Sequence, residues 1–432
     1  MLANIKEKVL SKKGLTSILA NTTWLLFDKI IRMGVGVVVS VWVARYLGPE
    51  DFGIFNYVTA FASFFGILAG LGLDAIVVRE LVRTPENESL VMGNAFYAKL
   101  AAGVLVLLAS IVTVFFYSQT PLIDVAIVIT TAGFIFQSLD VIDFYYQAKV
   151  LSKYTVISRN LSFLILSGFK VFLIIYEYSI IWFVWAASIE LAVSALFLAI
   201  SYFRGKSGVK KWTFHLPYLK FLVKEAFPLV LSGFVIIIYM RIGQIMLGSL
   251  LDQTAVGLYS AAAKLAEIWY FIPTIICSSV LPTIIHTRKL SQERYARQLQ
   301  QLYSVMNIIS ISIALVVTFI APWVIEMLYG PEYSAAASIL SISIWTGIFT
   351  FLSVATGQYL IIENFTRIAF WRNMISACVN VALNFLLIPW LGARGAAVAI
   401  LISYFFSIFA LLFFSKTRQH FYVVLRSFFS LR

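Results

Sequence analysis

The sequence predicts an all-α, polytopic membrane protein: twelve transmembrane helices in two pseudo-symmetric six-helix lobes. Three observations predict it. The 432 residues are 61% hydrophobic and 12% charged, whereas a soluble domain carries about 25% charged residues. The apolar residues come in blocks of about twenty or more between short polar turns, long enough to cross a hydrocarbon core about 30 Å thick. A β-barrel would show short alternating segments instead. Finally, the first half is echoed in the second. Gly53-Ile54-Phe55 matches Gly257-Leu258-Tyr259 at an offset of 204, and Arg159-Asn160 recurs as Arg372-Asn373 at an offset of 213. Both offsets are close to half the chain.

Taken in order, the predicted spans of the first half are 18–43, 52–73, 90–116, 121–148, 154–176 and 179–203. Those of the second are 222–250, 255–285, 299–320, 333–362, 367–388 and 395–415. The basic N-terminus, with Lys6, Lys8, Lys12 and Lys13, precedes a run with no small-residue cleavage site, so that run reads as a retained first helix. Spans one and two are separated by the turn around Gly48-Pro49-Glu50-Asp51. Pro49 excludes helical geometry at the residue before it, and Asp51 is the expected N-cap of span two. Gly53 is expected to allow close packing there. The polar connection 204–221 divides the lobes, 1–203 from 222–432 with its tail. With an even number of helices in each, the lobes share one orientation, related by an axis along the membrane normal.

Orientation follows from Lys and Arg. Of 33 such residues, 25 gather on the side of the termini and only Arg45 and Arg394 on the other. That puts both termini in the cytoplasm and explains the net charge of +13 without nucleic acid. Cys277 and Cys378 fall in apolar runs, so no disulfide framework is indicated, and His215, His286 and His420 have no metal-ligand spacing. Gly205-Lys206-Ser207 lacks the upstream glycine of a phosphate loop, because Ile200 stands there. No cofactor is expected.

Tyr46-Leu47-Gly48-Pro49-Glu50-Asp51-Phe52-Gly53-Ile54-Phe55, Gly70-Leu71-Gly72-Leu73 with Arg79-Glu80, and Leu328-Tyr329-Gly330-Pro331-Glu332-Tyr333-Ser334 carry a resemblance. The chain resembles the Wzx-type polysaccharide flippases, which handle O-antigen and exopolysaccharide repeat units. They belong to a superfamily with the MATE multidrug exporters and peptidoglycan-precursor flippases. The resemblance implies two lobes in a V and alternating access. It implies that an undecaprenyl-pyrophosphate-linked oligosaccharide moves from the cytoplasmic to the outer leaflet of a bacterial or archaeal cytoplasmic membrane. Membrane lipids and the polysaccharide polymerase machinery are the implied partners.

Intramembrane charges are the functional signal, because each costs several kcal/mol unless paired or wet. The cations are Lys29, Arg32, Lys99, Lys170, Arg241 and Lys264; the acids are Asp28, Asp140, Asp143, Glu190 and Glu267. Asp28 with Arg32, and Lys264 with Glu267, can neutralise each other on one helix face. Asp140 and Asp143 share a face, where Lys149 or Lys153 could satisfy them, and Glu190 has no obvious partner. Tyr145-Tyr146, Trp182, Trp185, Trp269-Tyr270, Trp345, Trp371 and Trp390 read as an aromatic belt.

Arg32, Lys99, Arg241 and Lys264 are the expected pyrophosphate ligands, facing a cavity between the lobes. Spans one, two, seven and eight line that cavity in the family. Asp28, Glu190 and Glu267 are the expected carriers of a coupling proton or Na⁺, with Asp140, Asp143 and Lys170 as weaker site candidates. Asp28 stands roughly 15 Å into span one. Six cations against five acids disfavour the alternative of a cationic-drug exporter. Short outer connections without a nucleophile and base disfavour a polymerase or ligase.

Overall fold

The computed structural model describes residues 12–205 and 212–428. Lys6, Lys8, Lys206, Lys210, Lys211 and Arg432 lie outside the described residues, as does most of Gly205-Lys206-Ser207. All regular structure among the described residues is helical: α1 Lys12–Gly70, α2 Asp74–Arg83, α3 Glu88–Phe116, α4 Pro121–Gly133, α5 Val141–Ala148, α6 Ser152–Ile175, α7 Ile180–Arg204 and α8 Leu216–Leu250. The second set is α9 Gln253–Glu267, α10 Phe271–Leu290, α11 Gln292–Tyr329, α12 Ala336–Ser343, α13 Thr346–Ile362, α14 Thr366–Leu391, α15 Ala393–Phe409 and α16 Arg418–Arg426.

Eleven stretches among the described residues are long and apolar enough to cross a membrane. The first of these, Phe27–Arg83, is two crossings: at 57 residues it would run about 85 Å, far beyond one bilayer. The break is at Gly48, whose φ of 73° and ψ of 173° interrupt the helix. Counting both limbs gives the expected twelve spans. Asp51 is not the N-cap. Gly48 occupies that place, Pro49 opens the next turn, and Asp51 lies inside it, since only Gly48 leaves helical φ/ψ. In the repeat the equivalent cap is a side chain: Asp252 accepts a hydrogen bond from the Ala255 N–H at 2.7 Å.

The chain forms two compact units. Unit 1 is Met1–Val43 with Phe61–Phe234, and unit 2 is Ala44–Ala60 with Val235–Arg432. Relative to lobes parted at the 204–221 connection, residues 44–60 go with the second unit and 222–234 with the first.

In unit 1 the core gathers Leu73, Val77, Met92, Ile142, Leu198 and Leu222. Between α4 and α5 the helix tightens into a 3₁₀ segment, Phe134–Asp140. It lies against α3 at Gly103, where a Cβ would stand 3.0 Å from the Ile135 Cα. Such mid-helix tightening commonly accompanies function, and here it ends on Asp140. Tyr145 and Tyr146 are buried in this core, so they are not part of an aromatic belt.

Unit 2 brings the two repeat copies together. A Cβ on Gly53 would overlap the Gln253 carbonyl and stand 3.0 Å from the Gly257 nitrogen; one on Gly257 would overlap the Pro49 carbonyl and stand 3.1 Å from the Gly53 nitrogen. The relation is reciprocal, and only glycine permits it. The second Gly-Pro-Glu turn, at Gly330 (φ 94°, ψ 174°), packs beside the first. The Tyr333 hydroxyl donates to the Ala44 carbonyl at 2.7 Å, and its ring meets Phe52 edge-on at 6.3 Å.

Candidate functional site

Unit 1 collects most of the intramembrane charge around one cavity of about 390 Å³, lined in part by Asp28, Arg32, Gln137, Asp140, Arg159 and Glu190. α1 supplies Asp28 and Arg32 one turn apart, and Arg32 Nε donates to Asp28 Oδ1 at 3.0 Å, as expected for this spacing. From α6, Asn160 Nδ2 donates to the same oxygen at 2.9 Å. The guanidinium of Arg32 also lies 5.3 Å from the centre of the Phe163 ring. Its side chain is 34% exposed, which leaves donors free to meet a ligand.

The remaining acids of unit 1 have partners other than those expected. Arg159 on α6, not Lys149 or Lys153, bridges the aspartates: its Nη2 is 2.9 Å from Asp143 Oδ2 and 3.4 Å from Asp140 Oδ1. Lys149 instead pairs with Glu88 at 3.2 Å. Glu190, for which the sequence offered no partner, pairs with Lys170 across α6 and α7 at 3.2 Å. Lys99 was expected to face a cavity. It is 3% exposed, 3.6 Å from Asp140 Oδ2 and 5.0 Å from the Phe144 ring centre. Its long stem reaches back into the unit 1 core, so Lys99 serves Asp140 rather than an open surface.

Unit 2 holds the rest. Glu267 was expected to pair with Lys264 one turn earlier. It meets Arg241 on α8, at 3.9 Å with both side chains one-third exposed. Lys264 places its ammonium 4.8 Å from the Phe52 ring centre. A neighbouring polar pair, Gln244 Nε2 to Ser260 Oγ at 2.9 Å, is fully buried. A short 3₁₀ segment, Ile268–Tyr270, follows Glu267 directly. Lys29 on α1 is exposed.

Three residues escaped the sequence reading. Asn160, Arg159 and Arg372 lie inside helices that begin at Ser152 and Thr366, about two turns before them. Both arginines belong to the set of charges that the sequence places on the cytoplasmic side. The Arg-Asn repeat at 159–160 and 372–373 was the signal that marked them.

The geometry is thus a set of half-buried carboxylate–cation pairs, most of them crossing between helices and opening on a cavity. Such pairs can exchange a counter-charge for a ligand or a proton without leaving a bare ion in the membrane. The polysaccharide biosynthesis protein family matches residues 18–288, well over half the chain. The chain belongs to that family.

A relative described as a probable flippase, AglR of Haloferax volcanii, is 29% identical over 173 residues, or 38% of this chain and 35% of the relative. The chain thus spans only about a third of the length of this relative. Among solved structures, an inward-facing multidrug resistance MATE family transporter of the MOP superfamily superposes with a TM-score of 0.75 at 14% identity, covering 94% of this chain and 99% of the other. The lipid II flippase MurJ, in its inward closed conformation, superposes with a TM-score of 0.69 at 16% identity, covering 95% and 91%. The family member is therefore a multi-pass membrane protein with the MATE-like fold.

Proposed function

We propose that this protein is a secondary-active flippase of polysaccharide biosynthesis. Its cargo is an undecaprenyl-pyrophosphate-linked oligosaccharide, moved from the cytoplasmic to the outer leaflet by alternating access. The observation that carries the reading is the Asp28–Arg32 pair on the wall of the unit 1 cavity, in a chain of the polysaccharide biosynthesis family. Arginine presents a planar fork to phosphate, where lysine is only a point charge. Arg32 in unit 1, and Arg241 with Lys264 in unit 2, are the proposed phosphate ligands.

A pyrophosphate that engages Arg32 takes it from Asp28 and leaves that carboxylate with the neutral amide of Asn160. Asp28 then takes up a proton or Na⁺, which returns the empty carrier. Glu190 and Glu267, each beside one cation, are the other coupling candidates. Voltage acts in the same direction, since outward movement of a negative cargo down an inside-negative potential releases about 2.3 kcal/mol per charge per 100 mV. The likeness to multidrug transporters, at 14% identity, is one of fold and lends no support to drug export.

The test is transport of the lipid-linked oligosaccharide in liposomes, with complementation of a deletion strain. Arg32→Ala should lower the rate at least about tenfold, the loss of one transition-state hydrogen-bonded charge pair. Arg32→Lys should lower it less, at equal protein level. Asp28→Asn should bind cargo but turn over slowly and lose its dependence on the cation gradient. Full complementation by both Arg32→Ala and Arg241→Ala would overturn the assignment.

A further inference from the structure

Unit 2 contains a guanidinium with no counter-ion. Arg372 on α14 is 5% exposed, and arginine remains protonated in proteins. Its Nη1 donates to Thr356 Oγ1 at 2.7 Å, and Thr356 in turn donates to the Leu352 carbonyl at 2.8 Å. Its Nε has no hydrogen-bond partner. The ion pairs of unit 2 among the described residues are Arg241–Glu267, Arg288–Glu363 and Arg297–Glu293, so none involves Arg372. The titratable side chains around it are the phenols of Tyr239, Tyr303 and Tyr404, which are neutral and bring no counter-charge. The Tyr303 hydroxyl is already engaged with His420 Nε2 at 2.7 Å.

The other unit shows what is missing. The offset of 213 that relates Arg159 to Arg372 relates Asp143 to Thr356 and Asp140 to Ser353. Arg159 reaches Asp143 in the same way that Arg372 reaches Thr356. Unit 1 therefore supplies two carboxylates where unit 2 supplies two hydroxyls. An isolated ion buried in an apolar interior costs several kcal/mol, and a hydroxyl does not offset it. A water could fill the vacant hydrogen bond but would leave the charge uncompensated.

We propose that unit 2 carries a binding site for a small monovalent anion of the chloride class. Arg372 supplies the charge and an unengaged donor through Nε, beside the mutually hydrogen-bonded hydroxyl groups of Tyr239 and Tyr404. The burial of Arg372 excludes a phosphate ester or a lipid headgroup, so the site is distinct from the proposed cargo ligands.

The test is thermal unfolding of the purified full chain in sodium chloride against sodium gluconate at matched ionic strength. The parent should show a saturable rise of a few degrees over a roughly 100-fold range of chloride. Bromide should replace chloride and give an anomalous scattering peak beside Arg372 in crystals. Thr356→Asp restores the carboxylate that unit 1 has, and its unfolding midpoint should no longer respond to chloride. Should that variant fail to fold, Arg372→Met should likewise lose the response. Equal midpoints for the parent in both salts, the result expected of a water at the site, would overturn the proposal. So would a chloride response that persists in whichever of these variants folds.

Discussion

Arg159 in unit 1 meets the carboxylates of Asp140 and Asp143, while Arg372 in unit 2, at the repeat-related position, meets the hydroxyl of Thr356. The same division runs through both units. Unit 1 pairs Asp28, Asp140, Asp143 and Glu190 with cations inside its helices. Unit 2 has the long Arg241–Glu267 contact, together with amides, hydroxyls and close helix approach. The repeat-related arginines thus meet different chemistry in the two units. Carboxylates paired with cations across the helices are concentrated in unit 1.

Three substitutions would break or sharpen this contrast. The largest effect is expected from Gly257→Val, because unit 2 is closed by backbone-to-backbone approach at Gly53 and Gly257. A side chain there meets the Pro49 carbonyl, which cannot rotate away, so the loss should be about 3 kcal/mol or more. A parent-like unfolding midpoint for this variant would show that the approach is looser than described.

The next effect is at Asp143, whose side chain is 5% exposed. Asp143→Ala leaves Arg159 with Asp140 alone and should cost about 2 kcal/mol, discounted from the loss at a fully buried pair because Arg159 is one-third exposed. Asp143→Thr copies unit 2 and should cost less, since one hydrogen bond survives. If it costs as much, the charge and not the bond holds Arg159, and the two units differ more deeply. The smallest effect is expected for Arg241→Gln. At 3.9 Å and one-third exposure the pair with Glu267 should contribute less than about 1 kcal/mol to stability. Any large loss in transport from this variant would then report on function.

The fold was legible because a bilayer imposes it. Apolar length fixes the spans, and Gly48-Pro49 marks the break in α1 whatever the tertiary context. The Asp28–Arg32 pair was legible for a similar reason, being one turn apart on a single helix. Pairs that cross helices were not. Nothing in the local sequence says that Glu190 will meet Lys170, that Glu267 will meet Arg241, or that Lys99 will turn inward to Asp140. Those choices depend on the rotation of each helix about its axis, and the weakly amphipathic sequences of membrane spans leave that rotation undetermined. Asp51 failed as a cap for a smaller reason: a glycine with positive φ had already ended the helix three residues earlier.

The segment just before α8 bears on how the chain is made. The Thr213 N–H donates to the Ser89 carbonyl at 3.2 Å, the His215 N–H reaches Asn94 Oδ1 at 3.1 Å, and the Trp212 ring lies tilted against those of Phe96 and Tyr202. Gly93 leaves the space this strand of chain requires. Every partner belongs to the first half and leaves the ribosome earlier. The second half therefore begins its insertion from a berth that the first half has already built, which favours assembly in the order of synthesis. Two half-proteins produced separately would have to find that berth by diffusion, and the half that carries residues 212–215 would arrive with nothing to moor it.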